Sequence, residues 1–251
     1  MKSVILCEGH DEVYVIGYYL YGTKNWELKK EAKFSKLYQL SKKNHNNQSM
    51  KIYLKGEDTL AIWAVGGKDS FKKPLKSVFE NTLDHPDDGV NQLFILLDRD
   101  ESEISECLTR IENEINLSGV KTPILENNKI NTIEFSFEGE SYQIKIIPVI
   151  IPFEENGALE NVLLNSIASE DKESEYVVKK AKEYIEDFYR SDFRERYLNH
   201  ARLKTKAEFS AAISITNPDR STAEFNKLLT SHKWYESDVV RKHFEMIDKL
   251  L

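Results

Sequence analysis

Two apolar stretches of this sequence end abruptly in carboxylates. VILC (4–7) is followed by Glu8 and Asp11, and QLFILL (92–97) is followed by Asp98 and Asp100. Short, continuous apolar runs of this kind are typical of buried parallel strands. In an open α/β sheet, ligands bind outside the carboxyl ends of the strands. We therefore expect these carboxylates to gather in one site.

Carboxylates that lie close together repel one another, and a divalent cation removes that repulsion. Ligands that are all oxygen atoms favour Mg²⁺, Mn²⁺ or Ca²⁺ over zinc. Side chains two positions apart on an extended segment point the same way, so Asp98 and Asp100 are expected to converge. The sequence thus predicts a metal site built from Glu8, Asp98 and Asp100.

Structural roles are open for some of these acids. Asp11 fits the first turn of a helix, where the helix dipole favours a negative charge. Asp100, followed three residues later by Glu103, fits a capping box. Neither explanation applies to Glu8 or Asp98, because each of them ends a strand rather than opening a helix.

Strands alternate with helices in the first half of the chain, which predicts an α/β fold with a mainly parallel sheet flanked by helices. TIEFSFEG and ESYQIKIIPVI read as a β-hairpin, and most of the chain after Pro152 reads as helical. We expect an α/β core over residues 1–120, with the hairpin and a helical extension over 121–251. Further strands are expected at 51–54 and 60–65, a turn at 85–89, a helix and then a loop within 24–50, and helices near 11–21, 69–83, 102–117, 157–167, 171–190, 192–200, 203–213, 222–230 and 237–251.

Charge is distributed unevenly along the 251 residues. The net charge is −7, which argues against indiscriminate binding of nucleic acid, yet Lys24–Lys76 holds 13 lysines against 5 acids. A lysine-rich solvated surface is one explanation, and a surface that contacts phosphates is the other. Candidate contacts to nucleic acid are Lys42, Lys43, Lys68, Lys72 and Lys73.

The two cysteines, Cys7 and Cys107, lie in or beside apolar segments and lack the spacing of metal ligands. They are typical of reduced core residues. No apolar stretch reaches the roughly 18 residues that a membrane helix needs, and the first strand follows Met1 and Lys2 directly. We expect a cytoplasmic protein that is not embedded in a membrane.

The motifs Glu8-Gly9-His10-Asp11 and Asp98-Arg99-Asp100, each after an apolar strand, resemble the Toprim domain. That domain occurs in topoisomerases, bacterial primases, recombination mediators and OLD (overcoming lysogenization defect) nucleases. The resemblance covers about residues 1–120 and implies a Toprim, Rossmann-like sheet. It also implies that the site binds two ions of Mg²⁺ or Mn²⁺ and cleaves phosphodiester bonds. The expected substrate is DNA rather than RNA.

The later chain resembles small stand-alone OLD-like proteins. IPFEENGALENVLL resembles their Pro/Gly-Leu-Glu element, LKTKAEFSAAIS resembles their lysine-bearing helix, and VGGKDSF resembles a further segment that they carry. The resemblance implies that Glu160 joins Asp11 and the three strand-end acids as a metal ligand. It implies that Lys206, or else Lys204, is a basic catalytic residue beside Glu8, Asp98 and Asp100. Because the chain has no G-x-x-x-x-G-K-[ST] loop, any regulation by nucleotide must come from a partner ATPase or be absent. A homodimer is the other assembly that we consider.

Two other functions are compatible with the same motifs. One is a Toprim module that binds nucleic acid or metal without cutting it. The other is a phosphatase of the haloacid-dehalogenase type, with Asp98 as nucleophile and Asp100 as acid, which gives Glu8 no role.

Overall fold

The computed structural model describes residues 1–29, 48–84, 89–137, 140–218, 227, 229 and 232–251. The chain divides into two compact units. The first comprises Met1–Leu97, Ile104–Ile150 and Met246–Leu251, and the second comprises Asp98–Glu103 and Ile151–Glu245. The predicted class, α/β with a mainly parallel sheet and a mostly helical C-terminal part, is confirmed.

A seven-stranded sheet forms the centre of the first unit, in the order β2-β3-β4-β1-β5-β7-β6. β1 lies between β4 and β5 and is parallel to both. Antiparallel pairs are added by β2, β3 and β4 on one side and by β6 with β7 on the other. The strands are β1 Lys2–Cys7, β2 Glu27–Lys29, β3 Ser49–Lys55, β4 Asp58–Ala64, β5 Gln92–Asp98, β6 Asn131–Phe137 and β7 Glu140–Ile151.

The helices cover the sheet of the first unit and make up most of the second unit. None of those that the structure describes is long and apolar enough to cross a membrane. In chain order they are α1 His10–Lys24, α2 Lys72–Asp84, α3 Ile104–Leu117, α4 Leu159–Ala168, α5 Lys172–Tyr189, α6 Arg194–Tyr197, α7 Ala201–Thr216, a 3₁₀ helix Trp234–Glu236, α8 Asp238–His243 and α9 Glu245–Leu250.

β1 is buried on both of its faces. Val4 and Leu6 belong to the core that includes Leu75 of α2 and Ile111 of α3. Ile5, which alternates with them, is also fully buried. A strand covered on both faces needs apolar residues at successive positions, and this explains the unbroken run that marked β1 in the sequence.

α1 approaches β3 closely at Gly17. A Cβ atom there would lie 2.0 Å from the hydroxyl oxygen of Tyr53, so only glycine fits this contact. Tyr53 is buried, and burial raises the pKa of its hydroxyl above the ordinary value. This close approach fixes α1, and with it the residues at the start of α1.

The second unit has its own buried aromatic residues. Phe209 of α7 and Trp234 of the 3₁₀ helix are buried, with their ring centres 6.5 Å apart. The indole N–H of Trp234 donates a hydrogen bond of 2.6 Å to the main-chain oxygen of Leu229. Burying an indole requires such a partner for its polar atom.

Several elements differ from those predicted. Residues 27–29 are a strand because they pair with β3, and this pairing overrides the helical preference of the local sequence. The helix expected at 192–200 spans only Arg194–Tyr197, and the terminal helix is interrupted at the buried Phe244. The hairpin strands β6 and β7 belong to the sheet of the first unit. The loop expected before residue 50, most of the turn at 85–89 and most of the helix at 222–230 lie outside the described residues.

Candidate functional site

Glu8 follows β1 directly, at the carboxyl end of that strand. Its main-chain oxygen accepts hydrogen bonds from the N–H groups of Gly66 and Gly67, at 3.0 and 2.9 Å. The two glycines have φ angles of 91° and 119°, a conformation that L side chains rarely adopt. The loop after β4 is thereby fixed to the residue that follows β1.

Asp11 and Glu12 lie in the first turn of α1, which begins after the N-cap residue Gly9. The dipole of a helix favours acidic residues at this position. Glu12 is buried, and a Cβ atom on Gly9 would lie 3.1 Å from its Oε2. The helix-terminal placement that the sequence allowed for Asp11 is therefore present, and its role as a metal ligand stays a prediction.

Lysines lie at the same edge of the sheet as Glu8. Cys7 of β1 is paired with Ala64 of β4, so these parallel strands end side by side. The chain leaves β4 through Gly66 and Gly67 and enters α2. The connection carries Lys68, and the first two residues of α2 are Lys72 and Lys73; all three are predicted contacts to nucleic acid and are exposed. The other two predicted contacts, Lys42 and Lys43, lie outside the described residues.

Asp98 is the last residue of β5, and in the second unit it accepts a hydrogen bond from the start of α4. The Oδ1 atom of Asp98 lies 2.9 Å from the main-chain nitrogen of Leu159, the first residue of that helix. The first N–H groups of a helix have no partner within the helix, and a carboxylate satisfies one of them. The sequence did not identify Leu159 as this partner, because the contact joins segments far apart in the chain.

Glu160, the second residue of α4, forms an ion pair with Lys206 of α7. The side chain of Glu160 is 8% exposed and that of Lys206 is 34% exposed, so the pair is partly shielded from water. Lys204 pairs elsewhere, with Glu186 of α5 at 2.5 Å and Glu208 of α7 at 3.7 Å. Of the two lysines that the sequence left as alternatives, Lys206 is therefore the one that contacts Glu160.

The prediction that Asp98 and Asp100 lie on one extended segment is wrong at Asp100, and the convergence of their side chains stays a prediction. Asp100 has a φ angle of 53°, in the left-handed region, which aspartate tolerates better than most residues. Its main-chain N–H and C=O groups both pair with Gly157, at 2.6 and 2.7 Å. This bridge fixes Asp100 beside the segment that leads into α4.

The predicted capping box of Asp100 and Glu103 is also absent, since α3 begins at Ile104 and Glu103 precedes it. The Oε2 atom of Glu103 instead lies 2.9 Å from the guanidinium of Arg99. The same guanidinium donates to the main-chain oxygen of Ser102. These contacts hold the short turn that connects β5 to α3.

Oxygen donors for a metal ion are present, but they do not form a preorganised coordination site. No group of three or more His, Cys, Asp or Glu side chains within the described ranges is placed to hold a metal ion. One oxygen of Asp98 accepts a hydrogen bond from Leu159, and one of Glu160 contacts Lys206. The types of donor suit Mg²⁺ or Mn²⁺.

The α5–α7 contact lies on the other side of α7 from Glu160. Hydrogen bonds from Lys204, and then from Arg190, hold the pKa of Glu186 below its ordinary value. Burial raises the pKa of Glu208, and the nearby Lys204 opposes that shift without reversing it. For Lys204, burial lowers the pKa, but Glu186 and Glu208 outweigh it and leave the pKa raised. This network connects α5 to α7 and so fixes the helix that carries Lys206.

Comparisons with known proteins identify the family and the fold. No curated protein matches the chain significantly in sequence. It is similar in structure to hypothetical protein PH0156 from Pyrococcus horikoshii OT3, with a TM-score of 0.51 and 16% sequence identity. The alignment covers 98% of this chain and 99% of that one, and at this identity it supports the fold alone. Residues 2–247 match the model of DUF3226, described as a protein of unknown function, and the chain belongs to that family.

Proposed function

We propose that the protein is a metal-dependent nuclease that cleaves phosphodiester bonds of DNA at a Toprim-type site. The observation that carries the proposal is the strand order. β1 and β5 are parallel neighbours, with Cys7 paired to Leu96; Glu8 follows β1 directly, and Asp98 is the last residue of β5. Two carboxylates at the carboxyl ends of adjacent parallel strands are typical of a ligand site in an α/β sheet.

Glu8, Asp98 and Asp100 would bind the metal, with Asp11 and Glu160 as additional ligands. Bound Mg²⁺ or Mn²⁺, as two ions, would lower the pKa of an attacking water and stabilise charge on the phosphate and the leaving oxygen. The carboxylate oxygens of these residues are the donors that such hard cations prefer.

Lys206 supplies the positive charge of the proposed site. Its ammonium group already faces the carboxylate of Glu160, so its position is fixed before a substrate arrives. A lysine held in this way stabilises negative charge that develops on a phosphate in the transition state. Asp98, by accepting the N–H of Leu159, fixes the start of the helix that carries Glu160.

The lysines that follow β4 would bind the DNA backbone. Lys68 lies on the connection that Glu8 holds through Gly66 and Gly67, and Lys72 and Lys73 begin α2. Contacts of lysine to phosphate displace counterions, so this binding should weaken steeply as salt rises. We expect the protein to act in the cytoplasm, as a homodimer or with a partner ATPase where its activity requires one.

The test is incubation of purified protein with supercoiled plasmid, in Mg²⁺, in Mn²⁺ and in chelator, beside Glu8→Gln and Asp98→Asn. Nicking that needs metal and is lost in both variants supports the proposal. Cutting by the variants at the wild-type rate contradicts it, because the activity then comes from another site or a contaminant. Circular dichroism and the melting temperature show whether each variant is folded.

A second candidate function, a Toprim module that binds without cutting, is favoured by one observation. The carboxylates in the described part of the chain are not arranged as a ready metal cage. If the wild type binds DNA without nicking it, this function replaces the first. Release of phosphate from a simple phosphate monoester, with plasmid left intact, would instead favour the phosphatase.

A further inference from the structure

Exposed aromatic side chains are concentrated in the second unit, at the end of α5 and on α6. Tyr184, Phe188, Phe193 and Tyr197 are between 40% and 61% exposed. Tyr184 and Phe188 stand edge to face, with their ring centres 5.0 Å apart. Single exposed apolar residues are ordinary, but a cluster of large rings marks a surface that binds something.

Arginines alternate with these rings. The guanidinium of Arg194 lies 4.4 Å from the ring centre of Tyr189, and that of Arg196 lies 5.1 Å from the ring centre of Tyr197. The ammonium group of Lys204 also lies over the ring of Tyr189, 5.0 Å from its centre. These cations therefore stay next to flat aromatic faces, where cation–π attraction favours them.

The surface also contains a cavity of about 520 Å³. Its lining includes Tyr189, Arg190 and Arg194, together with the acids Glu186, Asp192 and Glu195. The negative charge of Glu186 is paired with the positive charges of Lys204 and Arg190. Residues 184–197 hold three arginines against four acids. Lys204 of α7 adds a further cation through its contacts with Tyr189 and Glu186.

We propose that this aromatic–arginine surface, residues 184–197, binds single-stranded nucleic acid by stacking bases on its exposed rings. Rings provide flat faces for bases of any sequence, and the neighbouring arginines provide both stacking and contacts to phosphate. Duplex DNA does not offer its base faces in this way, so single strands are preferred. A second copy of this chain fits less well, because arginines interrupt the apolar rings.

α7 connects this surface to the proposed site. Lys204, which contacts Tyr189 and Glu186 of α5, and Lys206, which contacts Glu160 of α4, are two residues apart. Two residues of an α-helix are separated by about 200° and 3 Å, so the lysines project to opposite sides. The strand would be held on one side of α7, and Lys206 would act on the other. This step rests on the proposed function, whereas binding of the strand does not.

The experiment measures the anisotropy of labelled oligonucleotides of about 20 nucleotides. Single-stranded DNA, single-stranded RNA and duplex DNA are titrated with full-length protein in chelator, so that cleavage does not interfere. We expect tighter binding of a single strand than of the duplex. Phe193→Leu with Tyr197→Leu should weaken it about tenfold or more, because two of the rings on which bases stack are removed.

Three controls make the result specific. Tyr197→Phe keeps the ring and should keep the affinity. Arg194→Lys with Arg196→Lys keeps the charge but loses planar stacking, and should weaken binding by a smaller factor. Tyr21→Ala removes a ring that is 60% exposed on α1 of the first unit, and should change nothing.

The proposal is overturned if the leucine variants bind single strands as tightly as wild type does, or if wild type prefers the duplex. It is also overturned if wild type binds no strand but is a dimer that the leucine variants dissociate, because the surface is then an interface between copies. Cleavage of plasmid in Mg²⁺ is measured separately. If the protein binds single strands but does not cleave plasmid, the nuclease proposal is refuted and the binding proposal is retained. If it cleaves plasmid but does not bind single strands, the binding proposal is refuted and the nuclease proposal is retained.

Discussion

The residues around Glu8 and those around Asp98 are held in different ways. Around Glu8, main-chain hydrogen bonds hold the structure, since the main-chain oxygen of Glu8 accepts them from Gly66 and Gly67. Around Asp98, contacts of side chains hold the structure, namely those of Asp98 with Leu159 and of Glu160 with Lys206. Conservative substitutions should therefore damage the second region more than the first, unless they change Glu8 itself.

The largest effect is expected for the two strand-end acids. Glu8→Gln and Asp98→Asn should each lower the rate of plasmid nicking by roughly 10³-fold or more, because a metal contributes several kcal/mol to such a transition state. Similar losses in both variants would join the two regions in one reaction. A loss in only one of them would separate the regions and assign the activity to that one.

The two lysines of α7 should differ in activity. Lys206→Ala should lower the nicking rate by about 10²-fold, as the loss of one preorganised charge does at other sites. Lys204→Ala is the matched comparison: it removes the same charge two residues away, breaks contacts to Glu186 and Glu208 instead, and should lower the rate less. Equal losses in the two variants would contradict the role of Lys206.

Stability separates the structural effect of Lys206 from its chemical effect. Lys206→Ala leaves the buried carboxylate of Glu160 without this partner, so the free energy of unfolding should fall by about 1–3 kcal/mol. The double variant Glu160→Gln/Lys206→Met removes both charges and should recover most of that stability. Urea denaturation measures the free energy of unfolding of each variant. Recovered nicking in the double variant would show that the positive charge of Lys206 is not needed for cleavage.

Two glycines compare the regions directly. Gly157 has a φ angle of 149°, and a Cβ atom on it would lie 2.3 Å from Asn161. Gly67 has a φ angle of 119° but open space around it. Gly67→Ala should cost about 1–3 kcal/mol through conformation alone, and Gly157→Ala should cost more because a collision is added. Chemical denaturation tests the order, and an equal cost would show that Asn161 moves aside.

The smallest effect concerns pH. Burial raises the pKa of Glu208 in the folded protein, so its contribution to stability is present below the unfolded pKa and is lost as pH rises through the folded one. Glu208→Gln should therefore raise the melting temperature more at neutral than at acidic pH. Melting curves from pH 4 to pH 8 provide the measurement. A gain that is greatest at acidic pH would show that the contact with Lys204 outweighs burial.

The strands that carry the candidate acids could be predicted because their signal is local. Val4–Cys7 of β1 and Leu93–Leu97 of β5 are unbroken apolar runs, and an acidic residue follows each of them. The edge strand β2 was missed because its three residues have no such signal and depend on pairing with β3. The left-handed conformation of Asp100 was also missed, since it accompanies the bridge to Gly157, which is far away in the sequence.

By itself, the sequence determined the α/β class, the central strands and the acids that follow them, because hydrophobic pattern and chain order are local properties. Only the tertiary structure decided that β1 lies between β4 and β5. It also decided that Lys206, and not Lys204, contacts Glu160, and that Leu159 donates to Asp98. These contacts join residues 46 and 61 positions apart, and no local pattern encodes which distant partner a charged side chain meets once the helices have packed.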